Sequence, residues 1–201
     1  MRILLGTTNP SKVKRFSDLL KGYDVEFVTL KDLAITDEPE ENGTTPEENA
    51  IAKAKFYGQY FDVVICNDSG LYFEELALND VRQPGLNVRT PMQMDRLSDE
   101  EMIDYYSKLI DTLGGKVSAY YLDGIAVYYH GTIYSFMDAD EAKKTGSFYM
   151  IGKASSKRFE GWPLDSLSIN KETGKYFVDG SMEDSKENII KDEYEKRIVD
   201  F

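Results

Sequence analysis

The 201-residue chain has only one cysteine, Cys66. A single thiol excludes an intrachain disulfide and a cysteine-rich metal site, and it fits a reducing compartment. There is one histidine, His130, which argues against a His-based nucleophilic triad or a zinc site. Cations are also short. The 24 Lys and Arg face 36 Asp and Glu, a net charge of −12. Phosphate backbones and anionic lipids need clustered cations, so this balance argues against a nucleic-acid or membrane-surface binder. It leaves room for a small anionic substrate handled by a few cations and a divalent metal. No apolar run approaches the roughly 20 residues of a membrane helix. Residues 1–6 lack the pattern of a signal peptide. The expectation is a cytoplasmic protein with no nucleic-acid or membrane partner. No Gly/Ser-rich or Pro-rich linker and no internal repeat divides the chain, so residues 1–201 are read as one domain.

What is present is enough apolar residue, 41%, to bury a sizeable core. Residues 2–5 form a short apolar strand. Asn9 reads as an N-cap and Pro10 as the first residue of a helix, with Val13, Phe16, Leu19 and Leu20 at helical spacing. A second strand covers 25–30. Thr45 and Pro46 open another helix to about Tyr60, with Glu48 closing a capping box. Residues 63–66 suit a buried strand that Asn67-Asp68-Ser69-Gly70 breaks. Ser98 opens a helix to about Leu113, ended by Gly114-Gly115. Residues 117–129 and 132–137 read as a hairpin turning at His130-Gly131. Residues 147–170 look irregular or strand-containing, and 184–201 close the chain as a charged helix. The class is α/β or mixed α+β.

Four segments carry possible chemistry. In the first, strand 2–5 delivers Gly6-Thr7-Thr8-Asn9-Pro10-Ser11-Lys12 to a helix N-terminus. Free backbone N–H groups and the positive end of the helix dipole favour phosphate there. Thr7, Thr8 and Asn9 can donate, and Lys12 adds charge. The plainer reading is an ordinary capped helix. The second is Glu41 with helix 47–55, where Asn49 and Lys53 share a face. A carboxylate for a hard cation and a lysine for phosphate suit a magnesium–phosphate complex. The plainer reading is a solvated, salt-bridged helix. The third is Asp68, read at the C-terminal end of a buried strand, as a magnesium ligand or a general base for water. A simple Asp-Ser-Gly turn is the alternative. The fourth, residues 153–165, gathers Lys157, Arg158, Phe159 and the only tryptophan, Trp162. There an aromatic can stack on a base, or Trp162 can anchor a core.

In this order the first three segments resemble the inosine triphosphate pyrophosphatase family. Its T-x-N-x-x-K turn matches 7–12, and its E-x-G-x-T-x-x-E-N-A-x-x-K-A segment matches 41–54. Its D-D-S-G-L turn matches 67–71, and P-G-x-x-x-R matches Pro84 to Arg89. The agreement covers roughly the first ninety residues. The resemblance implies an elongated central mixed sheet with two lobes around a nucleotide cleft, usually in a homodimer. It implies magnesium-dependent hydrolysis of non-standard purine nucleoside triphosphates such as ITP, dITP or XTP to monophosphate and pyrophosphate, with manganese as a second metal. Thr7, Thr8, Asn9, Lys12, Lys53 and Ser69 would hold the triphosphate, with Arg89 also on the substrate. Glu41, Asp68 and Asn67 would hold the metal. Asp68 would act as general base, with Glu41 and Lys53 beside it in catalysis.

The departures are specific. The first Asp of D-D-S-G is Asn67 here, a weaker ligand for a divalent cation. The family's base-reading F-G-Y-D-P segment has only an inexact counterpart at 159–165, where Phe159, Trp162 and Asp165 stand in. Its C-terminal S-H-R motif has none, and Arg197 is the nearest substitute. These departures keep two further readings open: the same chemistry on a different base, and a nucleotide-binding protein with impaired catalysis. The Tyr-rich hairpin at 120–134 supplies either a dimer face or a core cover.

Overall fold

The computed structural model describes residues 1–159 and 161–180. Its seven strands form one mixed sheet in the order β2-β1-β3-β4-β6-β7, with β5 added on β4. The described residues group into two compact units. One holds Met1–Ser69 and Asp123–Asp138; the other holds Gly70–Leu122 and the described residues between 139 and 180.

In the first unit, β1 (Arg2–Leu5) runs parallel to β2 (Glu26–Thr29) and to β3 (Val63–Phe73). Alternation along the strands sorts the core into two faces. Ile3, Leu5, Val63 and Ile65 pack with Phe16, Leu19 and Leu20 of α1 (Pro10–Leu19). Leu4, Val64 and Cys66 pack with Ala50, Ala54 and Tyr57 of α2 (Pro46–Tyr57). The unit's strands therefore carry one helix on each face. The caps form as the sequence indicates. Asn9 accepts from Ser11 N, and Thr45 accepts from Glu48 N. Glu48 reaches one residue beyond a capping box, and its carboxylate takes Thr44 N at 2.6 Å and Thr44 Oγ1 at 2.9 Å. The helix stops at Tyr57 rather than Tyr60, where Gly58 caps it by donating to Ala54 O. β4 (Lys116–Tyr129) pairs antiparallel with β5 (Thr132–Phe136), Tyr129 opposite Thr132. The two residues between them have positive φ, 45° at His130 and 94° at Gly131. That is the backbone a two-residue hairpin loop requires.

One expectation fails. Asn67-Asp68-Ser69-Gly70 does not break the strand; β3 runs straight through it to Phe73. The polar residues are tolerated because they have lateral partners. Asp68 pairs with α2, and Ser69 bonds to Asp123 of β4. Asp68 therefore sits inside a strand, not at its end.

In the second unit, α3 (Asp99–Thr112) opens on the capping box of Ser98 and Glu101. Its Met102, Ile103, Tyr106 and Ile110 pack on Leu71, Phe73, Val117, Ala119, Phe148 and Met150. β6 (Phe148–Ile151) pairs antiparallel with β4 and with β7 (Ser168–Ile169), which resolves the irregular stretch 147–170. α4 (Ala139–Thr145) precedes β6. The closing helix expected at 184–201 lies outside the described residues. Among the described residues, no helix is long and apolar enough to cross a membrane.

Candidate functional site

Chemistry-bearing side chains converge in the first unit. Lys53, on the third turn of α2, sits between two carboxylates. Its Nζ lies 2.9 Å from Glu41 Oε2 and 3.1 Å from Asp68 Oδ1. Asn49, one turn earlier on the same face, donates to Asp68 Oδ2 at 2.9 Å. Its Oδ1 accepts from Gly43 N at 2.8 Å, which ties the acidic loop to the helix. Lys53 and Asp68 side chains are each 14% exposed, whereas Glu41 is 43% exposed and faces solvent. Burial works against the Lys53 charge, but Asp68 and then Glu41 outweigh it and hold its pKa above the usual lysine value.

The Gly6–Lys12 turn completes the cluster. Thr7 Oγ1 accepts from Asn9 N at 3.2 Å, and Asn9 Oδ1 caps Ser11 N at 2.9 Å. Thr8 is exposed at the tip. Lys12 feels a different field from Lys53. Burial and then the Lys53 charge lower its pKa, while Asp123 and Asp68 oppose the shift. Two lysines and three carboxylates thus share one region of the unit. Asp123 escaped the sequence reading because nothing near it in sequence signals a site. The one local hint is a carboxylate next to a glycine in mid-strand.

Asn67 behaves differently from its neighbours. It is 2% exposed, and neither its Oδ1 nor its Nδ2 has a hydrogen-bond partner among the described residues. Strand alternation groups it with Ile65 and Ser69 on the α1 face, away from Asp68. A buried carboxamide without partners costs on the order of 1–3 kcal/mol. Cys66, beside it, is fully buried, and that burial pushes its thiol up to about 12. It is an inert packing residue, not a nucleophile.

Arg89 and the base-side candidates Phe159, Trp162 and Asp165 lie in the second unit. Arg89 is engaged structurally, donating to Asp99 Oδ1 at 2.8 Å and Leu97 O at 3.3 Å. Phe159 is 44% exposed. Trp162 is half-buried, and its backbone N–H donates to Phe159 O at 3.1 Å. Asp165 is half-buried and lies in the turn Pro163–Ser166. Arg197 lies outside the described residues.

The donor set suits a hard cation. Glu41 and Asp68 offer carboxylate oxygens that already meet at one positive charge. Among the described residues, no group of three or more His, Cys, Asp or Glu could hold a metal. Magnesium does not need one, because it binds through one or two carboxylates together with substrate phosphates.

The sequence pattern of the Ham1 family matches residues 3–143. A dITP/XTP pyrophosphatase of Mannheimia succiniciproducens is 31% identical over 183 residues, 89% of this chain and 86% of that one. One of Caldanaerobacter subterraneus is 42% identical over 88 residues, 43% of this chain. That match spans 42% of the relative's own length, less than half of it. Two solved structures share the fold. A HAM1 protein from Coxiella burnetii superposes with TM-score 0.75 at 19% identity, over all of both chains. The Ham1 protein of Staphylococcus aureus does so with TM-score 0.68 at 21% identity, over 98% of this chain and all of the other. The chain belongs to the Ham1 family.

Proposed function

We propose that the chain is a nucleoside triphosphate pyrophosphatase. It hydrolyses ITP, dITP and XTP to the monophosphate and pyrophosphate, with magnesium as cofactor. The observation that carries the reading is the convergence of Glu41 and Asp68 on Lys53, with Asn49 fixing the second Asp68 oxygen. The relatives named dITP/XTP pyrophosphatase support the choice of substrate.

Asp68 is the general base. Lys53 and Asn49 hold its two oxygens, and each oxygen keeps a further lone pair for a water. It orients that water and accepts its proton as the oxygen attacks phosphorus. Lys12 and Lys53 balance the charge that builds on the phosphates, and they sit ready before the reaction starts. Thr7, Thr8 and Asn9 line the helix end where phosphate oxygens meet backbone N–H groups. Magnesium held by Glu41 and Asp68 supplies charge neutralisation when bound. No covalent nucleophile is needed. A homodimer and a cytoplasmic address belong to the same reading, and light scattering in solution tests the first.

Asn67, an amide where the family pattern carries an acid, motivates a second reading, a protein that binds nucleotide and turns it over poorly. One experiment separates them: pyrophosphate release with magnesium across ITP, dITP, XTP, ATP, GTP, CTP and UTP, for the natural chain and Asp68→Asn. Turnover of the deaminated purines that disappears in Asp68→Asn, with the fold kept, supports the hydrolase. Binding without release supports the second reading. Unchanged turnover in Asp68→Asn removes Asp68 from the mechanism.

A further inference from the structure

Strand β4 breaks its own pattern at Asp123-Gly124. Asp and Gly are both depleted in strand interiors, yet they stand together between Leu122 and Ile125 in a 14-residue strand. Both have contacts that account for them. Ser69 Oγ donates to Asp123 Oδ1, and Arg15 Nη1 lies 3.3 Å from Asp123 Oδ2. An ionised carboxylate only accepts, so the Ser69 proton is committed to Asp123 and is not available to a phosphate oxygen. Arg15 lies three residues after Lys12 on α1, on the same face. At Gly124, a Cβ would overlap Glu47 N and the carbonyl carbon of Pro46, so the first turn of α2 rests directly on this strand. Ser135 of β5 secures the same turn by donating to Glu47 Oε1 at 2.7 Å.

The dipeptide thus touches three elements of the proposed site: β3 next to Asp68, α1 on the face of Lys12, and α2 just before Asn49 and Lys53. We propose that Asp123, with Gly124 beside it, is a positioning residue that sets the spacing of Asp68, Lys12 and Lys53. It acts through Ser69 and Arg15, without touching substrate. This rests on the pyrophosphatase reading of the same site. Small misplacements of such groups are costly, since about 1 Å can cost on the order of a hundredfold in rate.

The test is steady-state pyrophosphate release from ITP by the full chain, with Asp123→Asn, Asp123→Ala, Ser69→Ala and the double variant Ser69→Ala/Asp123→Ala. Asp123→Asn keeps the shape of the side chain and removes the charge, so it is read even if Asp123→Ala fails to fold. The expected result is a fall in kcat of about tenfold or more, with KM changed less and the melting temperature held. The double variant is expected to be no slower than the slower single variant, because the two residues act through one contact. Unchanged kcat, losses that multiply, or losses that follow the melting temperature would overturn the proposal. If the natural chain releases no pyrophosphate, the functional reading fails on its own account. Hydrogen exchange then decides the positioning: faster exchange at 46–49 and 67–70 in Asp123→Asn upholds it, and unchanged exchange overturns it.

Discussion

Removing the charge of Lys53 exposes the balance on which the site rests. In Lys53→Met the aliphatic stem remains, but Glu41 and Asp68 lose the ammonium at 2.9 and 3.1 Å. Breaking a fully buried pair costs about 3–5 kcal/mol, and an exposed pair is worth about 0–1. Lys53 and Asp68 sit near the buried limit at 14% exposure, Glu41 nearer the exposed one at 43%, and Asn49 still holds Asp68. The expected loss is therefore about 2–3 kcal/mol. For a chain of this size that lowers the melting temperature by about 4–12 °C. Turnover is expected to fall by about 10²–10³, the scale for removing one preorganised charge from a transition state. Magnesium should raise the melting temperature of Lys53→Met more than that of the natural chain, because the stripped carboxylates have lost their resident counter-charge. Thermal denaturation with and without magnesium, beside pyrophosphate release, reads all three. A melting temperature within a degree of the natural chain, with turnover intact, would refute the arrangement.

Three further outcomes follow from the same geometry. Lys12 has a lowered pKa, so it loses its charge at a lower pH than an exposed lysine as pH rises. Apparent affinity for triphosphate should weaken on that alkaline side, and a kcat/KM–pH profile in which Lys12→Met keeps the same limb would contradict it. Asn67→Asp places an unpaired carboxyl where the side chain is 2% exposed, which raises its folded-state pKa above the unfolded value. The sign is then set: the variant is less stable than the natural chain at pH 8 and recovers as pH falls toward 5, with equal melting-temperature deficits at both values as the refuting result. Ser98→Ala removes a cap whose Oγ accepts from Glu101 N, and it should cost about 1 kcal/mol in a denaturant titration without touching turnover.

Local signals were legible and distant ones were not. The caps at Asn9, Thr45 and Ser98 and the turn at His130-Gly131 depend on neighbours within a few residues, so spacing reveals them. Glu41, Lys53 and Asp68 were legible because a loop, a helix and a strand carry them in a recognisable order. Asn67–Gly70 misled, because four turn-forming residues in a row look like a break until lateral partners are known. Asp123 left only a faint local hint, since its bonds span 54 residues to Ser69 and 108 to Arg15. Arg89, read as a substrate contact, turned out to be tied to Asp99 and Leu97, contacts that no motif announces.

The central claim is that this chain cuts between the α and β phosphates. The most direct measurement is the product ratio from ITP with magnesium, counting monophosphate, pyrophosphate and orthophosphate released by the full chain. One pyrophosphate per monophosphate, with no orthophosphate, is the expected result. Release of orthophosphate with formation of the diphosphate, or no product at all, would contradict it.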